Sequence, residues 1–216
     1  MEARVIPMSK KVLVSGASRG LGFALVEKYL QAGWITYAGV RDPRTTPLLA
    51  VKAMFPETLH ILPLDVSDTT LVQSAARVLQ ASTDALDVII NNAAVHLKNS
   101  RAVLEQVDFD EAMETYNINA LGALRVTKAF MPFLLKGETR VLVNISSDAG
   151  SIGRCRNAAG FEYYMSKAAL NMQSVILQNY LKPHRIKVLA VHPGWVRTDM
   201  GGPGATIEPE TAAEGI

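Results

Sequence analysis

The segment from Lys11 to Gly33 leaves this 216-residue chain the fewest folds to choose from. Lys11-Val-Leu-Val-Ser15 is a short, β-branched apolar run, which suits a buried strand better than a helix. It passes directly into Gly16-Ala-Ser-Arg-Gly20-Leu-Gly22 and then into Phe23-Ala-Leu-Val-Glu-Lys-Tyr-Leu30, a helical pattern that stops at Gly33 as a C′ residue. Glycines at such a junction let the backbone curl tightly. They also let a pyrophosphate approach the free N–H groups of a helix N-terminus, where the dipole favours an anion. The spacing is Gly-x-x-x-Gly-x-Gly, so the general dinucleotide-binding fingerprint is matched in context rather than in letter.

The same alternation continues. Trp34–Val40 reads as a second strand, and its tip should face an adenosine ribose. There an acidic residue suits a 2′-hydroxyl and an arginine suits a 2′-phosphate. Arg41 comes first and Asp42 second, and Arg19 in the glycine turn is another cation within range, so NADP(H) is preferred over NAD(H). The other reading has both arginines solvated and Asp42 on the ribose of NAD. Leu59–Leu64 is a third strand ending in Asp65-Val66, whose carboxylate would meet an adenine amino group or simply close a turn. Asp68 caps an amphipathic helix to Leu79, and Leu86–Ile90 is a fourth strand running into Asn91-Asn92-Ala93-Ala94, where small amides brace a turn and leave room for a ring.

A long helical pattern covers Val107 to Leu135, with Asn117, Asn119 and Gly122 in its middle and Pro132 near its end. Asparagine there marks a distortion or a bound water, and Asn119 is the candidate. Arg140–Ile145 is a fifth strand with Ser146 and Ser147 at its carboxyl end, where ligands gather in open α/β sheets. A loop from Asp148 to Gly160 carries Arg154, Cys155 and Arg156. A helix beginning at Glu162 or Tyr163 then runs to Pro183, and Ile186–Val191 is a sixth strand followed by an extended turn, His192 to Thr198.

Within that last long helix, Tyr163 and Lys167 share one face at a spacing of four. A phenol titrates near 10, and moving it to about 7 needs roughly 4 kcal/mol. A fixed positive charge at ~4 Å supplies about that much at an effective dielectric of ~20, and Lys167 is the candidate for that charge. By itself Tyr-x-x-x-Lys is a weak signal.

Composition narrows the function classes. A net charge of +2 without a clustered Lys/Arg patch argues against nucleic-acid binding. The single cysteine, Cys155, rules out an intramolecular disulfide and fits a reducing compartment. No Cys, His or carboxylate group has metal-ligand spacing. Met1–Lys10 has no apolar stretch long enough for a signal peptide, and no run approaches the ~18 residues of a membrane span. The expectation is a soluble, cytoplasmic, single-domain protein with neither nucleic acid nor membrane as partner.

The ordered set Ser15-Gly16-x-x-x-Gly20-x-Gly22, Asp65-Val66, Asn91-Asn92-Ala93, Asn119, Ser147, Tyr163-x-x-x-Lys167 and Pro193-Gly194-x-Val196-x-Thr198 resembles the short-chain dehydrogenase/reductase family. It is most similar to the compact carbonyl-reductase-like branch. The resemblance runs from Lys11 to about Met200. It implies a doubly wound parallel sheet of the Rossmann type in three α/β/α layers and reversible hydride transfer between a nicotinamide and a carbonyl or alcohol carbon of a small molecule. By resemblance Tyr163 is the general acid, Ser147 (rather than Ser146) a second donor to the same oxygen, Lys167 the holder of the nicotinamide ribose, and Asn119 the anchor of a relay water. Gly16, Ser18, Arg19, Gly20, Leu21, Gly22, Arg41, Asp65, Val66, Asn92, Ala93, Ala94, Pro193, Gly194, Val196 and Thr198 would line the cofactor.

Three departures from the family stand out. Ala94 occupies a usual glycine position, and the Ser147–Tyr163 loop is enlarged, with Arg154 and Arg156 as contacts for an anionic substrate or, preferably, solvated cations. The sequence also stops at Ile216, just as 210–215 begins a helix, so a seventh strand is expected to be missing and the sixth strand to need a cover. Gly201–Gly204 is a hinge or a plain connector. Homodimers or homotetramers through the 107–135 and 163–181 helices are implied. A regulatory or signalling protein of the same fold without turnover is the alternative function.

Overall fold

Strands and helices alternate through most of the computed structural model, which describes residues 9–44, 46–98 and 101–216. The leader reading of Met1–Lys10 lies for the most part outside the described residues. The elements are β1 (Lys11–Ser15), α1 (Gly20–Gln31), β2 (Ile35–Val40), α2 (Thr46–Met54), β3 (Leu59–Pro63), α3 (Thr69–Gln80) and β4 (Val88–Asn91). There follow α4 (Phe109–Tyr116), α5 (Ala123–Leu134), β5 (Val141–Ile145), α6 (Phe161–Leu181), β6 (Lys187–Val191) and α7 (Pro209–Glu214).

Among the described residues, six strands form one parallel sheet in the order β3-β2-β1-β4-β5-β6. Because side chains alternate across a strand, Val12 and Val14 face one layer and Leu13 the other. The first layer is built from α1, α2 and α7, through Leu25, Leu48 and Ala213. The second comes from α3, α5 and α6, through Leu79, Phe130 and Leu181. Burial on both faces explains why the central strands read as near-continuous apolar runs. The strand order reverses between β1 and β4, which opens a crevice at their carboxyl ends. At the far side β6 is the outer strand, and Leu189 on it is exposed.

Two features differ from the sequence pattern. The stretch read as one long helix is α4, then a π-helical turn over Asn117–Gly122, then α5. The distortion has a cause in Asn117. Its backbone and side-chain oxygens both accept from Arg125, and its amide donates to the Ser67 carbonyl at 3.2 Å, so the turn is tied to the neighbouring loop. The helix α2 was not anticipated. Its signal is Thr46-Pro47 ahead of Leu48 and Val51, a proline-first start followed by two buried positions three apart.

The Asp68 cap is present: its Oδ1 accepts from the Leu71 N–H at 2.9 Å. Asp68→Ala should therefore lower stability by about 1 kcal/mol. A urea-unfolding midpoint unchanged from wild type would show that the Leu71 N–H finds another acceptor.

Candidate active site

The crevice at the β1/β4 switch point is a cleft of about 1440 Å³ that runs from the glycine turn to the N-terminal turn of α6. Its first wall is backbone. Gly16 and Gly20 have φ of +66° and +55°, a region L side chains rarely adopt. A Cβ on Gly16 would stand 2.7 Å from the Ala93 Cα, and one on Gly22 would collide with the Gly16 carbonyl oxygen. The turn is braced from β4 as the sequence implied. Asn92 Nδ2 donates to the carbonyls of Ser15 and Gly16, both at 3.0 Å, and Ser15 Oγ accepts from the N–H groups of Asn92 and Ala93. This leaves the α1 N-terminus, free of any acidic residue in its first turn, facing the cleft.

At the β2 end, Arg41 is exposed on the cleft rim. Asp42 is held by Arg44, which donates to its Oδ1 at 2.9 Å and its Oδ2 at 3.2 Å and keeps the carboxyl below its usual range. Arg19 pairs with Asp199 across the cleft mouth, a contact no local signal announced because the partners are 180 residues apart. Asp65 lines the cleft, but its Oδ1 closes its own turn by accepting from the Ser67 N–H at 2.9 Å and the Ser67 hydroxyl at 2.6 Å. The turn reading of Asp65 is thus observed. Ser18, Leu21, Val66, Ala93, Ala94, Pro193, Gly194, Val196 and Thr198 all line the cleft.

The chemical end lies between β5 and α6. Ser147 and Tyr163 face the cleft together, and the Ser147 hydroxyl works to lower the Tyr163 pKa. Ser147 Oγ also donates to Asp148 Oδ1 at 3.0 Å and accepts from the Ala149 N–H at 3.1 Å. Ser146 also lines the cleft, and its hydroxyl donates to Asn171 Oδ1 at 2.6 Å. Lys167 is buried, its Nζ donating to the Ile145 carbonyl at 2.9 Å and lying 5.7 Å from the Tyr163 ring centre.

One expectation is corrected here. Lys167 was expected to lower the Tyr163 pKa, yet burial, with Asp148 and Tyr164 adding to it, raises that pKa, and the Ser147 hydrogen bond opposes only part of the rise. Burial also lowers Lys167, to about 8. Loss of solvent therefore outweighs the neighbouring charge, because the ammonium is bonded to a strand carbonyl rather than to the phenol. Asn119 stands behind the cleft wall rather than in it. Its side chain accepts from the Val95 N–H at 2.8 Å and donates to the Val95 carbonyl at 2.9 Å and to Ser166 Oγ at 3.1 Å, so it clamps the loop after β4 to α6.

The far wall was read least well. Arg154, Cys155 and Arg156 are exposed, and none of them lines the cleft. His96, Arg101, Asn157, Tyr164 and Trp195 do line it. The His96 ring stands edge-on to Tyr163, with centres 4.9 Å apart. Its place two residues past Ala94 was a usable signal, since strand ends collect ligand contacts. The segment after β6 is strapped rather than loose. Arg197 donates from its backbone to Ile207 and from its side chain to Glu208 and to the Ala205 carbonyl, while Trp195 Nε1 donates to the Gly201 carbonyl at 2.9 Å.

A profile described as short chain dehydrogenase matches residues 10–206. The chain belongs to that family. This short-chain dehydrogenase is 40% identical over 134 residues to the C-signal protein of Myxococcus xanthus, which covers 62% of this chain and 80% of that protein. It superposes on an NADPH-bound carbonyl reductase from chicken fatty liver with a TM-score of 0.88 at 30% identity, covering 96% of this chain and 89% of that one. The carbonyl reductase Sniffer of D. melanogaster also gives 0.88, at 29% identity, covering 95% and 88%. Among the described residues no group of His, Cys, Asp and Glu could hold a metal, and no helix is long and apolar enough to cross a membrane.

The Lys167 shift makes a stability prediction. Between about pH 8 and 10.5 the unfolded lysine still holds its proton while the folded one has lost it, so stability should rise with pH across that window by about 3 kcal/mol. The raised Tyr163 acts oppositely, removing stability only as pH climbs above the ordinary phenol value. Chemical denaturation from pH 7.5 to 10 should show the rise in wild type and a flattened curve in Lys167→Met. Equal slopes in both would disprove the assignment.

Proposed function

We propose that this short-chain dehydrogenase is an NADP(H)-dependent reductase of small carbonyl compounds that also runs in the alcohol direction. The observation that carries this reading is the meeting of the Ser147 and Tyr163 hydroxyls beside buried Lys167, in the same cleft whose other end is a side-chain-free glycine cradle. The cradle suits a dinucleotide: Gly16, Gly20 and Gly22 leave room for a pyrophosphate against the α1 N-terminus. Arg41 and Arg19 would take a 2′-phosphate, and Asp42 is already engaged by Arg44. The chicken fatty liver carbonyl reductase, similar in fold, is bound to NADPH, which supports the same choice.

When bound, the reduced nicotinamide supplies a hydride to the carbonyl carbon. Tyr163 gives its phenolic proton to the carbonyl oxygen, and Ser147 turns its hydroxyl from Asp148 to donate to that oxygen, so two donors meet the developing charge. Burial keeps the phenol protonated at neutral pH, the form a general acid needs in the reductive direction. Lys167 keeps one N–H on Ile145 and offers its others to the cofactor ribose.

The regulatory alternative draws on the similarity to a protein named C-signal. It predicts cofactor binding without turnover, whereas Ser147, Tyr163 and Lys167 stand together here as a reductase requires. Titration with NADPH and NADH, then assay of ketones, aldehydes and quinones, separates the two. NADPH should bind at least about tenfold more tightly, Arg41→Ala should remove most of that preference, and Tyr163→Phe should abolish turnover while leaving binding intact. Equal affinity for both cofactors defeats the NADP assignment, and binding without turnover favours the regulatory reading.

A homodimer or homotetramer is part of the same proposal. Exposed Phe109 and Met113 on α4, with Met172, Val175, Ile176 and Tyr180 on α6, make an apolar face that water disfavours. Light scattering should give a multiple of the chain mass for wild type and a monomer for Met172→Glu with Ile176→Glu; a monomeric wild type would reject it. A cytoplasmic setting fits the exposed thiol of Cys155.

A further inference from the structure

Glu162 immediately precedes Tyr163, is only 3% exposed, and neither of its carboxyl oxygens has a hydrogen-bond partner among the described residues. A buried carboxyl left so is costly and calls for a reason. Its surroundings supply one. The crossovers α4–α5 and α6 both return antiparallel to the strands on the same side of the sheet, so α4 and α6 run in one direction where they pack. The Asn119–Ser166 hydrogen bond sets their register. Thr115 precedes Asn119 by four residues, as Glu162 precedes Ser166. Thr115 is fully buried, and its Oγ1 is likewise without a partner among the described residues. The next titratable group toward the cleft is His96, whose ring lies edge-on against Tyr163 and whose backbone neighbour Val95 is fixed by the Asn119 clamp.

We propose that His96 is a second proton-carrying group of the substrate pocket, and that Glu162 is the positioning residue that sets its charge beside Tyr163. Glu162 touches neither cleft nor substrate and acts through the imidazole. Arg101 on its own loop and Glu162 on α6 act on His96, Tyr163 stands against its ring, and Tyr164 on α6, Glu114 on α4 and Asp148 after β5 line the same cleft. Burial and Arg101 favour neutral imidazole, and Glu162 works against both. On the acid side the pocket therefore gains an imidazolium against the general acid, an added donor for a substrate oxygen. On the alkaline side that donor is neutral. The catalytic part of this inference rests on the reductase reading above.

The test is an NMR titration of the His96 imidazole in the cofactor-free protein, which needs no substrate. Glu162→Gln should lower the His96 midpoint by about half a unit or more, since a nearby negative charge is removed. Glu162→Met should raise the melting temperature, as expected when a partnerless buried carboxyl gives way to an apolar chain. In turnover, the acid limb of the kcat profile should shift with Glu162→Gln and vanish with His96→Asn, while NADPH affinity stays unchanged. A His96 midpoint identical in wild type and Glu162→Gln, or a Glu162→Met protein less stable than wild type with an unmoved pH profile, would overturn the proposal. Failure of wild type to bind NADPH would instead strike the reductase reading and leave the His96 titration to judge this one.

Discussion

The approach of the β1 and β4 strand ends to within van der Waals contact of each other is the constraint on which the rest of this molecule depends. Gly16 has no room for a Cβ because the Ala93 backbone is already there, and Gly22 has none because the Gly16 carbonyl is. Ser15 and Asn92 convert that closeness into hydrogen bonds, so the turn, the strand end and the α1 N-terminus form one rigid piece. A parallel sheet whose strand order reverses at this point must leave a crevice there. The cleft is thus a consequence of topology, and the glycines decide that backbone rather than side chains forms its floor.

A second set of buried polar contacts carries the rigidity outward. Asn91 donates to Asn144 at 2.8 Å and to Thr127 at 3.1 Å, and Asn144 donates to Ser174 at 2.8 Å, linking β4, β5, α5 and α6. Buried amides of this kind add little net stability, but they penalise any slip in register that would leave them unpaired. Asn119 extends the set to the loop that presents His96. The residues that meet at the chemical end are therefore held by hydrogen bonds one layer beneath the surface they line.

Charge at that end follows from loss of water more than from pairwise attraction. Lys167 is buried and Tyr163, four residues before it, is partly so, and loss of solvent pushes each toward its neutral form, the phenol upward and the ammonium downward. The ammonium spends one donor on Ile145, so the attraction it exerts on the phenol is secondary. The site is preorganised as a proton donor.

Periodicity and punctuation alone determined much of this protein. The six strands, the strand–glycine–helix opening, the Asp68 cap and the Tyr163/Lys167 pair were all legible, because each rests on side chains close together in the chain or on backbone freedom only glycine has. Ser147, Asn92 and the cleft-lining set followed from their places at strand ends. What only the tertiary structure decided are matters of distance across the fold. Asn119 clamps Val95, Arg19 meets Asp199, and the enlarged loop keeps Arg154 and Arg156 outside while His96 and Arg101 come in. Burial of Tyr163 and Lys167, and hence the direction of their shifts, is likewise set by helices and loops far apart in sequence. Local patterns record what a residue can do, and only packing records what surrounds it and how much water is left.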